Sequence, residues 1–133
     1  MTGVGRYLLR RGQQAHDALG EILKYLVLLT QPCAGDGPPG WLVAHAPDGH
    51  DRPGEHLNLG LAHGISGPLA LLSLAWRDGR RVDGQEDAII RLVQWLLDRR
   101  LDRDGRPTWP GLVEPADLAA GAPPLVPARA SWC

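Results

Sequence analysis

Residues 58–75 read NLGLAHGISGPLALLSLA, a glycine-rich segment with one histidine that leads directly into an apolar run. The stretch from Pro68 to Arg77 is nearly all apolar, and a proline is well suited to the first turn of a helix. A helix that is apolar on all sides belongs in a protein interior. The segment therefore predicts a buried helix that has His63 close to its start.

Three further stretches predict helices around the buried one. Gly5 to Arg11 is short, and Gly12 marks its end. In Ala15 to Thr30, leucine and isoleucine recur at helical spacing and stop before a proline. The last stretch, Gly84 to Leu101, would be a helix about 27 Å long. Its apolar face is formed by Ile89, Leu92, Trp95 and Leu96.

The helices alternate between an apolar and an amphipathic type. The pairs that begin near Gly3 and near Gly67 resemble two copies of one unit, with a period of about 65 residues. This alternation indicates an all-α architecture, a ring or solenoid with an inner and an outer helix layer. Repeat folds need roughly three or more units for stability. We therefore expect residues 1–133 to be one incomplete domain that exposes inner-face leucines, namely Leu69, Leu71 and Leu72.

Composition narrows the class of protein. The chain has 133 residues, of which 44% are hydrophobic and 22% are charged, as in globular proteins. A formal net charge of −1 gives no basic footprint for nucleic acid. The first ten residues lack a signal-peptide core, and the longest apolar run is too short to span a bilayer. We expect a cytoplasmic protein with no nucleic-acid partner and no membrane insertion.

The opening segment resembles the Gly-x-Ala-His-Gly-x-x-Gly hallmark of the lanthionine synthetase C-like family, the cyclases of lanthipeptide biosynthesis. Four further pieces follow the order of that family: TGVGRYLLRR (2–11), VDGQEDAIIRLVQWL (82–96), TWP (108–110) and RASWC (129–133). The matching positions of the hallmark are Gly60, Ala62, His63, Gly64 and Gly67. The resemblance implies a partial α/α toroid. In this interpretation the chain is an internal fragment of about a third of the full barrel.

The resemblance also implies a reaction. A zinc-dependent cyclase of this family adds peptide cysteine thiols to dehydroalanine or dehydrobutyrine and forms (methyl)lanthionine thioether rings. The substrate would be a dehydrated precursor peptide, and a lanthipeptide dehydratase is a further expected partner. The activity belongs to the full-length protein, and we expect this chain alone to be inactive.

Four residues belong to the implied site. The resemblance assigns Cys133 as the first zinc ligand, with the remaining ligands outside this chain. His63 would be a general acid/base for the thiol or the enolate, because imidazole titrates near neutral pH. Arg129 would stabilise enolate charge or orient the peptide, and Trp132 would shape the zinc pocket.

The residues themselves leave alternatives open. His63 could be a core histidine bonded to a backbone carbonyl, Arg129 a solvated loop cation, and Cys133 a free thiol or a small buried residue. The loop at 45–56 contains His45, His50 and His56, but their spacing fits no short metal-ligand motif. We expect that loop to border the peptide-binding face.

Two other functions are compatible with the same pattern. One is a non-catalytic peptide-binding fragment that keeps the surface of the toroid without its chemistry. The other is a related glutathione-adding enzyme on the same scaffold.

Overall fold

The computed structural model describes residues 1–32, 38–44 and 55–120, without the side chains of 118–120. Two helix pairs dominate it. Helix α1 (Thr2–Arg11) continues through a 3-10 turn (Gly12–Ala15) into α2 (His16–Leu29), and α3 (Ser66–Arg77) is followed by α4 (Gln85–Leu97). A short helix, α5 (Pro115–Ala120), ends the described part. The four predicted helices are therefore present, and all four begin within three residues of the predicted position.

The helices pack in two layers. Helix α1 contacts α2 within the first pair, and α3 contacts α4 within the second. The pairs lie side by side, because α1 also contacts α3 and α2 also contacts α4. This is the alternation of inner and outer helices that the hydrophobic pattern predicts.

The main core lies between the layers. No residue from Ser66 to Trp76 is exposed, which confirms that α3 is an interior helix. The expectation that Leu71 and Leu72 are exposed is wrong, since both are fully buried, and Leu69 packs against the core. The reason is that α1, α2 and α4 surround α3 on several sides, and Gly5 of α1 lies directly against the Leu71 side chain. Burying a leucine stabilises the fold by about 1.5–3 kcal/mol.

The exposed apolar side chains lie elsewhere. On α1, the outward face of α2 and α4 they are Val4, Tyr7, Tyr25, Leu28, Ile90, Val93 and Leu97. Outside these helices, Met1, Val43 and Leu61 are exposed as well. Within the described residues, no helix combines the length and the apolar character that a membrane span requires.

Helix α4 ends four residues earlier than the sequence pattern predicts. Instead of a fifth turn, Leu101–Arg103 (β2) pairs with Arg106–Thr108 (β3) in an antiparallel hairpin. The two residues between the strands, Asp104 and Gly105, have φ angles of 53° and 72°. A two-residue hairpin turn needs positive φ at both positions, and Asp-Gly is a preferred pair for it. The turn therefore ends the helix although the hydrophobic pattern continues to Leu101.

A second strand pair positions the segment that contains His63. Strand β1 (Leu57–Asn58) pairs with β4 (Leu112–Val113), and the Leu59 amide donates to the Gly111 carbonyl at 3.0 Å. The side chains of Leu57, Leu59 and Val113 form a second buried cluster, which is flanked by tryptophans. The chain is thus fixed at residues 57–59, immediately before the loop that leads to α3.

Candidate functional site

His63 lies in the short loop between β1 and α3. The ends of this loop are tied together, because the Ile65 amide donates to the Asn58 carbonyl at 2.9 Å and the Ser66 hydroxyl donates to the Leu59 carbonyl at 2.6 Å. Residues 61–63 between these ties are exposed. The loop therefore holds His63 on the surface at the start of the interior helix.

The Asn58 side chain shapes the same loop from inside. Its Oδ1 accepts a hydrogen bond from the Gly60 amide at 2.8 Å, which is an Asx-type turn. Asn58 is half-buried and Gly60 is half-buried. Three hydrogen bonds therefore fix the backbone on both sides of His63.

Gly64 has no space for a side chain. A Cβ there would meet the carbonyl oxygen of Asn58 and the backbone nitrogen of Gly60. Both are backbone atoms that cannot move without breaking the turn. The glycine next to His63 is therefore required by the tight closure of the loop, as the Ala-His-Gly motif predicts.

A cavity of about 240 Å³ opens beside His63. Its walls come from the start of α1, the second half of α2, residues 41–43 and the His63 loop. The described lining contains no Asp, Glu, Lys or Arg side chain, and its ionisable side chains are the imidazole of His63 and the phenol of Tyr25. His63 is thus the one imidazole in the described lining, and an imidazole can take up a proton on one ring nitrogen and release one from the other.

The surroundings of His63 do not fit a core histidine. The residue is exposed, and its imidazole makes no hydrogen bond to another of the described side chains or backbone groups. A core histidine is buried and has hydrogen-bond partners for its ring nitrogens. The geometry leaves both ring nitrogens available to a ligand in the cavity.

A larger cavity, of about 330 Å³, lies at the other end of α2. It is lined by charged groups of both signs, and the Arg80 guanidinium donates to Nδ1 of His16 there at 2.7 Å. None of the predicted site residues lines it. The smaller cavity is the better candidate because it combines an available imidazole with an otherwise uncharged wall.

The other predicted site residues cannot be placed beside His63. Arg129, Trp132 and Cys133 lie outside the described residues, and so do His45 and His50. Of the loop histidines, His56 is described; its backbone pairs with Val43, which lines the smaller cavity. The zinc ligand and the arginine therefore remain predictions.

The described residues do not fit a metal ion. Among residues 1–32, 38–44 and 55–120, no group of three His, Cys, Asp or Glu side chains could hold one. A catalytic zinc site needs about three protein ligands. Any zinc site must therefore use residues outside this part of the chain.

Two residues near the site were not singled out in the sequence. Asn58 forms the turn described above, and an asparagine two residues before a glycine is a recognisable signal for it. Trp41 lines the cavity and stacks edge-on against Trp95 with ring centroids 5.3 Å apart. Trp41 lies in a connection between helices, where the sequence shows no helical or strand periodicity. For that reason the sequence does not predict that Trp41 lines the cavity.

Comparisons with known proteins support one fold. The sequence model of the family described as "Lanthionine synthetase C-like protein" matches residues 1–133. The solved structure titled "Nisin cyclase" superimposes with a TM-score of 0.77 at 22% sequence identity, and the match covers 99% of this chain and 33% of that chain. A search of curated protein sequences finds no match.

The structural likeness shows the fold. The two helix pairs form part of an α/α toroid, and the chain spans a third of the length of the nisin cyclase chain. The predicted architecture and the predicted share of the barrel are both confirmed.

Proposed function

The chain belongs to the lanthionine synthetase C-like family, and on that premise we propose that it forms part of a lanthipeptide cyclase. The reaction is the addition of a peptide cysteine thiol to dehydroalanine or dehydrobutyrine in the same peptide. The thiol S–H bond breaks, a C–S bond forms at the β-carbon, and a proton is added at the α-carbon. Nothing is oxidised or reduced, so the peptide keeps its mass.

We assign the proton transfer to His63. The neutral imidazole accepts the thiol proton on its unprotonated nitrogen, and the thiolate attacks the β-carbon. The electron pair of the double bond moves toward the carbonyl as an enolate, and the imidazolium returns a proton to the α-carbon. An imidazole has one ring nitrogen that accepts a proton and one that donates, so the same side chain serves both directions of transfer.

One observation carries this assignment. The loop from Asn58 to Ser66 holds an exposed imidazole, free of other described partners, at the edge of a cavity with uncharged walls. An uncharged wall suits a dehydrated peptide, whose reacting groups are an alkene and a thiol. An uncharged wall also strengthens the stabilisation of the enolate charge by any hydrogen-bond donor or cation that faces it.

Zinc enters the proposal through Cys133. The resemblance assigns that residue as the first ligand, and zinc would supply a deprotonated thiol by coordinating its sulfur. Because the described residues contain no ligand set, His63 is the group to which we assign chemistry here. Arg129 belongs to the proposal on the same footing as Cys133, as a cation that stabilises the enolate or orients the peptide.

The proposed partner is a dehydrated precursor peptide, as the resemblance to the cyclase family implies. A dehydratase would supply this peptide, since the alkene must be made before a thiol can add to it. Both partners are proposed for the full-length protein and not for this chain alone.

The test is His63→Ala in the full-length protein, with His16→Ala as the matched control. His16 is an exposed histidine at the other cavity, so its loss should leave cyclisation unchanged. Ring formation is followed by alkylating the remaining thiols and measuring peptide mass, because cyclisation hides thiols without changing mass.

We expect His63→Ala to slow cyclisation by about a hundredfold or more, the usual scale for a lost general acid/base. Its zinc content should equal that of the unmodified protein, because the imidazole is assigned no metal. Cyclisation at the normal rate would show that His63 has no part in the chemistry. Loss of zinc together with activity would assign the imidazole to the metal instead.

A further inference from the structure

Asn58 contacts the His63 loop at both of its ends. Its carbonyl accepts the Ile65 amide at 2.9 Å, which closes the loop at the start of α3. Its side-chain Oδ1 accepts the Gly60 amide at 2.8 Å, which closes the first turn of the loop. Because Asn58 itself is paired with Leu112 in the β1–β4 ladder, it is a fixed point for the loop.

In the first turn of the loop, the hydrogen-bond acceptor is the Asn58 side chain and not a backbone carbonyl. The Gly60 amide has Oδ1 of Asn58 as its acceptor, and the adjoining space is already filled by Gly64. If this acceptor is removed, the half-buried N–H of Gly60 must bond to water instead, and the turn can then open. Residues 61–63 are exposed, so little else among the described residues would hold them in place.

We propose that Asn58 is a positioning residue for His63: its side-chain amide oxygen holds the loop so that the imidazole faces the cavity. The proposal rests on the proposed function, in which His63 transfers the proton. Asn58 touches no reacting atom in this scheme. Its contribution is geometric, and a displacement of about 1 Å at a catalytic group can cost a hundredfold in rate.

The variants are made in the full-length protein. They distinguish an effect on the position of His63 from an effect on the proton transfer itself. Asn58→Ala removes the acceptor, and Asn58→Asp keeps an oxygen that can accept the Gly60 amide. Gln94→Ala removes an exposed amide from α4 and is the matched control. If Asn58→Ala does not fold, as judged by circular dichroism, Asn58→Gln replaces it, since the added methylene moves the acceptor out of reach.

We expect Asn58→Ala to lower kcat about tenfold with little change in KM, and Asn58→Asp to restore most of the loss. A residue that only stabilised the fold would lower the melting temperature without this split between kcat and KM. Hydrogen exchange of the segment 57–66, read by mass spectrometry, gives a second measurement that does not depend on activity. Exchange at the Gly60 amide should rise in Asn58→Ala and return in Asn58→Asp.

The double variant decides whether Asn58 acts through His63. In a His63→Ala background, Asn58→Ala should cause no further loss of kcat beyond about twofold, because effects within one unit are not additive. Multiplying losses in the double variant would overturn the proposal, as would a normal kcat in Asn58→Ala beside a slow His63→Ala. A normal rate in His63→Ala is a different result. It would overturn the proposed function and with it any positioning role.

Discussion

Replacement of Gln85 tests how the inner helix α3 is joined to the outer helix α4. Gln85 is a fully buried polar residue at the start of α4. Its Nε2 donates to the Leu72 carbonyl of α3 at 2.9 Å, and its Oε1 accepts the Val82 amide at 2.9 Å. One side chain thus connects the second helix pair to the turn that joins its members.

The expected cost follows from these contacts. A hydrogen bond contributes about 1 kcal/mol net, and an abandoned buried donor costs about 1–3 kcal/mol. Leu72 lies inside α3, so its carbonyl keeps a helical partner, and most of the penalty falls on the Val82 amide. Gln85→Ala also leaves a void where the side chain was, which adds about 1–2 kcal/mol. We expect the free energy of unfolding to fall by about 3 kcal/mol.

Two companion variants separate the causes. Gln85→Met keeps the length of the side chain but loses both hydrogen bonds, so we expect a loss of about 2 kcal/mol. Gln94→Ala changes an exposed amide on the same helix, and such surface changes stay within about 0.5 kcal/mol. Each is measured as the shift of the urea midpoint in the full-length protein, at an unchanged slope of free energy against urea. A Gln85→Ala midpoint equal to that of Gln94→Ala would refute the argument. Equal losses in the Met and Ala variants would assign the whole effect to the hydrogen bonds.

The remaining predictions concern two separate glycines, Gly64 and Gly20, and the proposed zinc ligand Cys133. Gly64→Ala forces a Cβ onto backbone atoms of Asn58 and Gly60, so we expect a loss of about 2 kcal/mol in stability and slower ring formation. Gly20→Ala, in open space on α2, should stabilise by about 0.5–1 kcal/mol; melting-temperature shifts of equal sign would contradict the close approach at Gly64. Cys133→Ala should lose zinc and cyclisation together, as measured by metal analysis after dialysis; retained stoichiometric zinc would remove Cys133 from the ligand set.

Much of the fold could be predicted because helices are local. The apolar run of α3 and the period of about 3.6 residues in α2 and α4 follow from neighbours along the chain, and the structure contains all of these helices. The early end of α4 was missed because the hydrophobic pattern runs past the helix. The Asp104-Gly105 pair was the signal that could have placed the hairpin.

The candidate site also has one part that the sequence predicts and one part that only the tertiary structure shows. The position of His63 in a glycine-rich loop before an interior helix was readable from the motif, because the loop is closed by residues within nine positions of one another. The cavity beside it was not readable. Its walls bring residues from the first helix pair and from residues 41–43 up to a histidine more than sixty positions from Met1.

Long-range packing also settled the burial of side chains. The pattern of α3 could not say which neighbours cover Leu71 and Leu72, because apolar periodicity records that a face is buried and not what buries it. The contacts of α3 with α1, α2 and α4 provide that cover within the chain. The same packing left the loop between β1 and α3 at the surface, and so His63, which stands among leucines and glycines in the sequence, is exposed to solvent in the folded protein.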